Sequence, residues 1–322
     1  MAMREFPFRT FNSGIAFGCS VLSFADFCIT TRQLFYELAK TPISMDSSSV
    51  PWTNENAALL PWYVQELREV NEPARELFEK YAGLPAEEVI PHIQSVRDSA
   101  LAIMPYPCIG AFAFLELSLM RLACYGEVKD RVKAGAKFLD LGCCFGQDLR
   151  KLVMDGASSE NVFGSDANAS FIALGYKLFR DHGALQDRFI VADLLNPGEA
   201  LKKLQGDIDI INAQLFFHLF DMDEQVRIIR SVLGLLRPTT NTLLVGSQVG
   251  SATAKLQRVP SLGNVFVHSP ESWAMLWEKM GAETGTKWQV RTDRGEPKRL
   301  DLIHAVHGEE AYLMTFEVRR IE

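Results

Sequence analysis

The chain has 322 residues, 48% of them hydrophobic and 23% charged, with a formal net charge of −7 and a pI of about 5.5. That is an ordinary globular composition, long enough for one α/β domain and an accessory segment. The acidic balance and the lack of any block of like charges exclude a broad basic surface, so nucleic acid is not an expected partner. None of the six cysteines forms a CxxC pair, and they read as reduced thiols of a cytoplasmic protein with no metal site. No run is long enough to span a bilayer; the nearest candidate, Gly14–Phe24, is too short, and as a secretory signal it is weak.

Residues 1–44 are rich in Phe, Ser, Thr and Cys, with one short helical pattern near Thr31–Ala39. Met45-Asp-Ser-Ser-Ser-Val-Pro-Trp52 then reads as a flexible amino terminus ahead of a folded domain. Two readings stand: translation from Met45, or a genuine extension that packs as a helix. Residues 45–135 are expected to form a helical cap or substrate lid. Asn71-Glu72-Pro73 opens a helix to about Tyr81, with Asn71 as the cap. Pro85-Ala-Glu-Glu opens a second, running through Val89, Ile93 and Val96 towards Ile103, with Pro91 able to kink it. Pro105–Gly110 is a break, after which apolar spacing resumes from Ala111 to Val132 through Phe114, Leu117 and Met120.

From residue 136 to the end, strands alternate with helices. The expected strands are Phe138–Leu141, Asn161–Ser165, Phe189–Ala192, Ile208–Ala213, Thr242–Gly246, Lys287–Arg291 and Tyr312–Val318, the last in a charged setting that suggests a sheet edge. The expected helices are Gly146–Met154, Ala169–His182 capped by Asn168, one opened by the capping box Asp221-Met-Asp-Glu224 and stopped near Pro238, and one from Ser269-Pro270-Glu271 to Gly281. Such alternation predicts an α/β, Rossmann-like domain with a mostly parallel seven-stranded sheet and an antiparallel last strand.

The informative stretch is Phe138-Leu-Asp-Leu-Gly-Cys-Cys-Phe-Gly-Gln-Asp-Leu-Arg150, a strand, a glycine-bracketed turn and a helix start. Asp140 stands two residues before Gly142. A carboxylate there repels a pyrophosphate but suits the ammonium and sulfonium of S-adenosylmethionine, which disfavours a dehydrogenase. Asp166 and Asp193 end the next two strands, where an adenosine needs acceptors for its ribose hydroxyls and adenine amino group. Each acid also has a local reading: Asp166 as a helix cap, Asp193 in an Asx-turn before Leu194-Leu195-Asn196. Cys143 and Cys144 read as small loop residues, not nucleophiles. Cys144 stands where the broad pattern has a glycine, a position that favours φ > 0. His218, just past the fourth strand, reads equally as a catalytic base or as a packed histidine. The aromatic segments Tyr106–Phe114 and Phe216–Phe220 read equally as pocket wall or core.

Residues from about Glu55 to Leu244 resemble the fungal class I S-adenosylmethionine-dependent methyltransferases of natural-product pathways, most closely those acting on meroterpenoid intermediates. The residues that carry the resemblance are Pro105-Tyr-Pro-Cys-Ile-Gly110, Asp140 to Arg150, Asp155-Gly156, Gly164-Ser-Asp166, Gly175-Tyr-Lys-Leu-Phe-Arg180, Ala192-Asp193 and Phe217-His-Leu-Phe220. The resemblance implies that Asp140, Gly142, Cys143, Cys144 and Gly146 shape the methionine site. It implies that Asp166 with Ala167 holds the ribose, and that Asp193 with Leu194 faces adenine. It also implies an apolar small-molecule acceptor, methylation at oxygen with a carboxylic acid as the favoured substrate, and a homodimer. The alternatives are a methyltransferase-fold protein that binds the cofactor but catalyses rearrangement or cyclisation, and a non-catalytic partner.

Overall fold

The computed structural model describes Leu60, residues 62–259 and residues 262–322, all within the unit Asp46–Glu322. The expectations for residues 1–44, including Gly14–Phe24 and Thr31–Ala39, and for a start at Met45 lie outside the described residues. No helix among the described residues is long and apolar enough to cross a membrane.

The cap begins with α1, Glu72–Glu76, which continues as a π turn through Leu77–Tyr81. Asn71 caps it by accepting from the Ala74 amide at 3.1 Å, and its side-chain amide donates to the Leu115 carbonyl at 2.7 Å. Helix α2, Ala86–Leu101, runs through Pro91 without interruption and buries Val89, Ile93, Val96 and Ala100. Arg97 on this helix is 1% exposed; it donates to the carbonyls of Val64, Gly110 and Gln65 and lies between the Tyr63 and Phe112 rings. The short α3, Pro107–Gly110, follows.

The apolar spacing after Ala111 does not make one long helix. Left-handed Phe112 (φ 58°) and Leu117 (φ 49°) instead bracket the 3-10 turns Ala113–Glu116 and Ser118–Arg121. Burial drives this choice: Phe112, Phe114, Leu115, Leu117 and Leu119 are all buried, and the Leu119 amide is taken by Asp148 at 3.0 Å. Only α4, Tyr125–Lys133, is helical in this stretch.

The second part runs β1 Phe138–Leu141, α5 Gln147–Met154, β2 Val162–Asp166, α6 Ala169–Phe179, β3 Phe189–Val191, α7 Glu199–Lys202, β4 Ile210–Gln214, α8 Met222–Leu235 and β5 Leu243–Ser251. It continues with β6 Lys255–Val259, β7 Gly263–Val267, α9 Pro270–Thr284, β8 Trp288–Arg294, α10 Leu300–His307 and β9 Ala311–Arg320. The main sheet has the order β3-β2-β1-β4-β5-β9-β8, parallel from β3 to β5, with β9 antiparallel to both its neighbours. On one face, Trp273, Trp277 and the apolar side of α8 pack on Leu139, Ile211 and Leu244. On the other, Val128 and Val132 of α4 and Leu149 and Leu152 of α5 pack on Phe138, Ile210 and Leu243.

Several expectations are corrected. Strand β9 is interior, lying between β5 and β8; Arg319 pairs with Glu127 and Glu317 at 2.8 Å, while Met314, Phe316 and Val318 are buried. Helix α6 stops at Phe179 because Arg180 adopts a left-handed conformation (φ 52°). Helix α9 passes Gly281 and ends at left-handed Gly285. Gly281 is a close-approach residue, since a Cβ there would lie 2.6 Å from the Thr286 carbonyl oxygen. The hairpin β6–β7 and helix α10 have no counterpart in the sequence reading.

Candidate cofactor and acceptor site

The loop after β1 has three left-handed residues in alternation: Gly142 (φ 61°), Cys144 (φ 50°) and Gly146 (φ 66°). A Cβ at Gly142 would lie 2.6 Å from the Phe216 ring, and one at Gly146 2.5 Å from Phe189. Cys144 therefore keeps the backbone conformation of the glycine it replaces, at a cost on the order of 1–2 kcal/mol for an L-residue. One hydrogen bond offsets part of this cost: its amide donates to Asp166 Oδ2 at 3.0 Å. The Cys143 amide donates to the Ser165 carbonyl at 3.0 Å, so the loop is pinned to β2 at two successive amides.

Asp140 is 3% exposed and accepts from Asn212 Nδ2 at 2.7 Å. Asn212 Oδ1 accepts from Gln214 at 2.8 Å, and Gln214 Oε1 accepts from the Ser247 hydroxyl at 2.7 Å. This buried chain runs across the carboxyl ends of β1, β4 and β5 on one sheet face. Burial pushes the Asp140 carboxyl well above its ordinary range, with nearby Asp148 adding to the effect. Burial also pushes Asp148 up to about 7. No cation among the described residues offsets either shift. Two buried carboxylates without a counter-charge are the chemistry that an ammonium fits.

Asp166 Oδ1 accepts from the Asn168 amide at 2.9 Å, and Asn168 itself caps α6 through Ser170. Asp166 is thus not the cap of that helix; each of its oxygens holds one backbone amide and keeps a lone pair for a ribose hydroxyl. Ala167 beside it is exposed. Asp193 is exposed and sits in an Asx-turn, accepting from the Leu195 amide at 2.9 Å and from Asn196 at 3.0 Å. Leu194 is buried in the core beneath it.

No sequence pattern marks the brace behind the loop. Arg150, fully buried, is bidentate to Asp181 at 2.7 and 2.9 Å, donates to the carbonyls of Phe145 and Gly146, and lies over the Tyr176, Phe179 and Phe189 rings. Tyr81 of the cap donates to the same Asp181 carboxylate at 2.7 Å. The motif contains Arg150, and a buried guanidinium needs an anion, but its partner lies 31 residues on with nothing in the spacing to mark it. The cap also brings Tyr106 to the loop, packed on Phe171 at 6.0 Å and within electrostatic reach of Asp166 and Cys144. Burial raises both the Cys143 and Cys144 thiols, so they stay protonated.

His218 lies in the 3-10 turn Phe217–Leu219 just past β4, 7% exposed. Burial, with a smaller contribution from His307, lowers it to about 3. It is a neutral imidazole at physiological pH. Phe217 is core, packed on Trp273 and Phe316, whereas Phe216, against Gly142, and Phe220, packed on Phe216, are half-buried.

The strand order, the glycine loop after β1 and the acids around it define a class I methyltransferase whose cofactor is S-adenosylmethionine. Residues 62–115 match the family described as meroterpenoid methyltransferase N-terminal domain, and residues 138–239 match a methyltransferase domain. The chain is 43% identical over 266 residues to methyltransferase adrK of Penicillium rubens, covering 80% of this chain and 92% of that protein. It is 42% identical over 241 residues to O-methyltransferase phiE of a fungal species, covering 74% and 80%. To the asnovolin E/chermesin D methyltransferase nvfJ of Aspergillus novofumigatus it is 39% identical over 258 residues, covering 79% and 91%. The chain belongs to the methyltransferases of fungal meroterpenoid biosynthesis.

Proposed function

We propose that the enzyme methylates the carboxylate of an apolar meroterpenoid or polyketide-derived acid, giving a methyl ester, and that it works as a cytoplasmic homodimer. Asp140 with Asp148 faces the methionine ammonium, Gly142, Cys143, Cys144 and Gly146 give the backbone room, and Asp166 with Ala167 takes the ribose hydroxyls. Asp193 and Leu194 border the adenine, although the Asx-turn already engages both Asp193 oxygens once.

The observation that carries the choice of acceptor is the neutral His218 at the end of β4. An imidazole held near 3 is a poor recipient for the proton of a phenol or alcohol, and catalytic bases work best near the operating pH. A carboxylate is already ionised, so the sulfonium-borne methyl group that the cofactor supplies can be accepted with no proton to remove. The chain's own contribution is then alignment and exclusion of water. The name of phiE, an O-methyltransferase, supports transfer to oxygen. Every relative above is named a methyltransferase, which does not favour rearrangement without transfer or a non-catalytic role.

The test is incubation with methyl-labelled cofactor and a panel of prenylated and polycyclic acids, phenols and alcohols. Base-labile label in an acid, as methyl ester, is expected. Label appearing only as base-stable methyl ether would overturn the carboxylate assignment.

A further inference from the structure

Among the described residues, His218 is the titratable side chain with a buried nitrogen that no hydrogen bond explains: its Nδ1 is closed to solvent and has no partner. An unpaired buried polar atom costs on the order of 1–3 kcal/mol, so each one in a native structure calls for an explanation. The turn that carries it follows β4, beside the loop that holds the cofactor, where an acceptor has to meet the methyl group.

A second histidine converges on the same place. His307, the last residue of α10, is 5% exposed, and its ring centroid lies 5.6 Å from that of His218 with the planes at 72°. Its orientation is set from β6. The Gln257 amide nitrogen donates to the Val306 carbonyl at 3.3 Å, which turns Oε1 towards His307 Nδ1 at 3.4 Å. Nδ1 is then the protonated nitrogen, and Nε2 is left with its lone pair.

No carboxylate among the described residues acts on either ring. The groups that do are His307 on His218, and Lys255 of β6 on His307, each adding to the effect of burial and each opposing a positive charge there. The nearby His304 is engaged separately, with Nε2 3.1 Å from the Ala311 carbonyl.

We propose that His218 and His307 together form the site that holds the acceptor's carboxylate, with β6 and α10 serving to position His307. This rests on the carboxylate reading above. His218 donates an N–H to one carboxylate oxygen. His307 takes a proton from solvent on Nε2 as the acid binds, and donates it to the other oxygen while Gln257 Oε1 holds its Nδ1–H. Esterification removes the negative charge, the imidazolium loses its counter-ion and returns the proton, and the neutral product is released. The proton taken up on binding equals the proton given back, so turnover remains proton-neutral.

The test uses the full chain loaded with S-adenosylhomocysteine, titrated calorimetrically with 3-farnesylbenzoic acid and with the matching primary amide, in two buffers of different ionisation heat. The acid is expected to bind about tenfold or more tightly than the amide, with proton uptake approaching one per acid bound. His307→Phe keeps the ring volume and is expected to abolish both effects, while affinity for S-adenosylhomocysteine stays unchanged within error. Equal affinity for acid and amide, no binding of either, no proton uptake, or a preference that survives in His307→Phe each overturns the pair. If that variant fails to fold, the wild-type titrations decide the matter. Methyl ester formation is assayed separately, so a failed acid–amide preference alongside ester product removes this site and leaves the proposed function standing.

Discussion

At the scale of single residues, the cofactor loop is a balance between strain and unneutralised charge. Cys144 keeps a left-handed backbone, the conformation that the glycine of the broad pattern favours, and its amide is tied to Asp166. Asp148 has a further consequence. Its folded value, about 7, lies above the ordinary 3.8, so between those values the folded state holds a proton that the unfolded chain has lost. Stability of the cofactor-free protein therefore falls as pH rises from about 4 to about 7 and levels off above that. Asp148→Asn keeps an acceptor for the Leu119 amide and removes the charge; melting curves between pH 5 and 8 should show a shallower decline than wild type. An unchanged slope would place the titration elsewhere, with Asp140 the first alternative.

At the scale of elements, capping residues were legible and turns driven by tertiary burial were not. Asn71, Asn168, Asp221 and Ser269 all cap the helices they were expected to open, because a cap acts through amides two or three residues away. The stretch from Phe112 to Arg121 could not be read this way. Its apolar spacing fits a helix, yet the Leu115 carbonyl is claimed by Asn71 and the Leu119 amide by Asp148, from 44 and 29 residues away. Strand β9 departs from its sequence pattern for a similar reason: its charges fit an edge, yet β8 pairs along its outer side and Glu127 neutralises Arg319. Asn71 therefore serves two elements at once. Asn71→Ala should cost more than the ~1 kcal/mol of an ordinary cap; urea denaturation measures it, and a loss at or below that figure would mean that the tie to Leu115 adds nothing.

At the scale of the whole molecule, the sheet and its cofactor were visible in the chain because three acids follow three strands at regular intervals. The acceptor side was not, because His307 comes from a helix without a side-chain cap, and nothing in the spacing ties it to Gln257, 50 residues away. Cofactor binding has a simple global readout. S-adenosylmethionine at a hundred times its dissociation constant should add about 2.7 kcal/mol of stability, seen as a rise in Tm, whereas NAD at the same concentration should leave Tm unchanged; a rise with NAD would contradict the reading of Asp140.

The shared core of the cap and the loop bears on how this fold can change over time. Phe145 stands between Gly142 and Gly146, yet its ring lies edge-on to Phe114 at 5.0 Å, and Phe78 of the cap stacks on Phe179 of α6 at 5.3 Å. A chain begun at β1 would expose faces of Phe145, Phe171 and Phe179 that the cap now covers, so the cofactor half is expected to be less stable without it. Recombination between relatives that exchanged caps to gain a new acceptor would have to carry along the aromatic seat for Phe145. The cap and the glycine loop share one aromatic core, so a change in either is felt by the other.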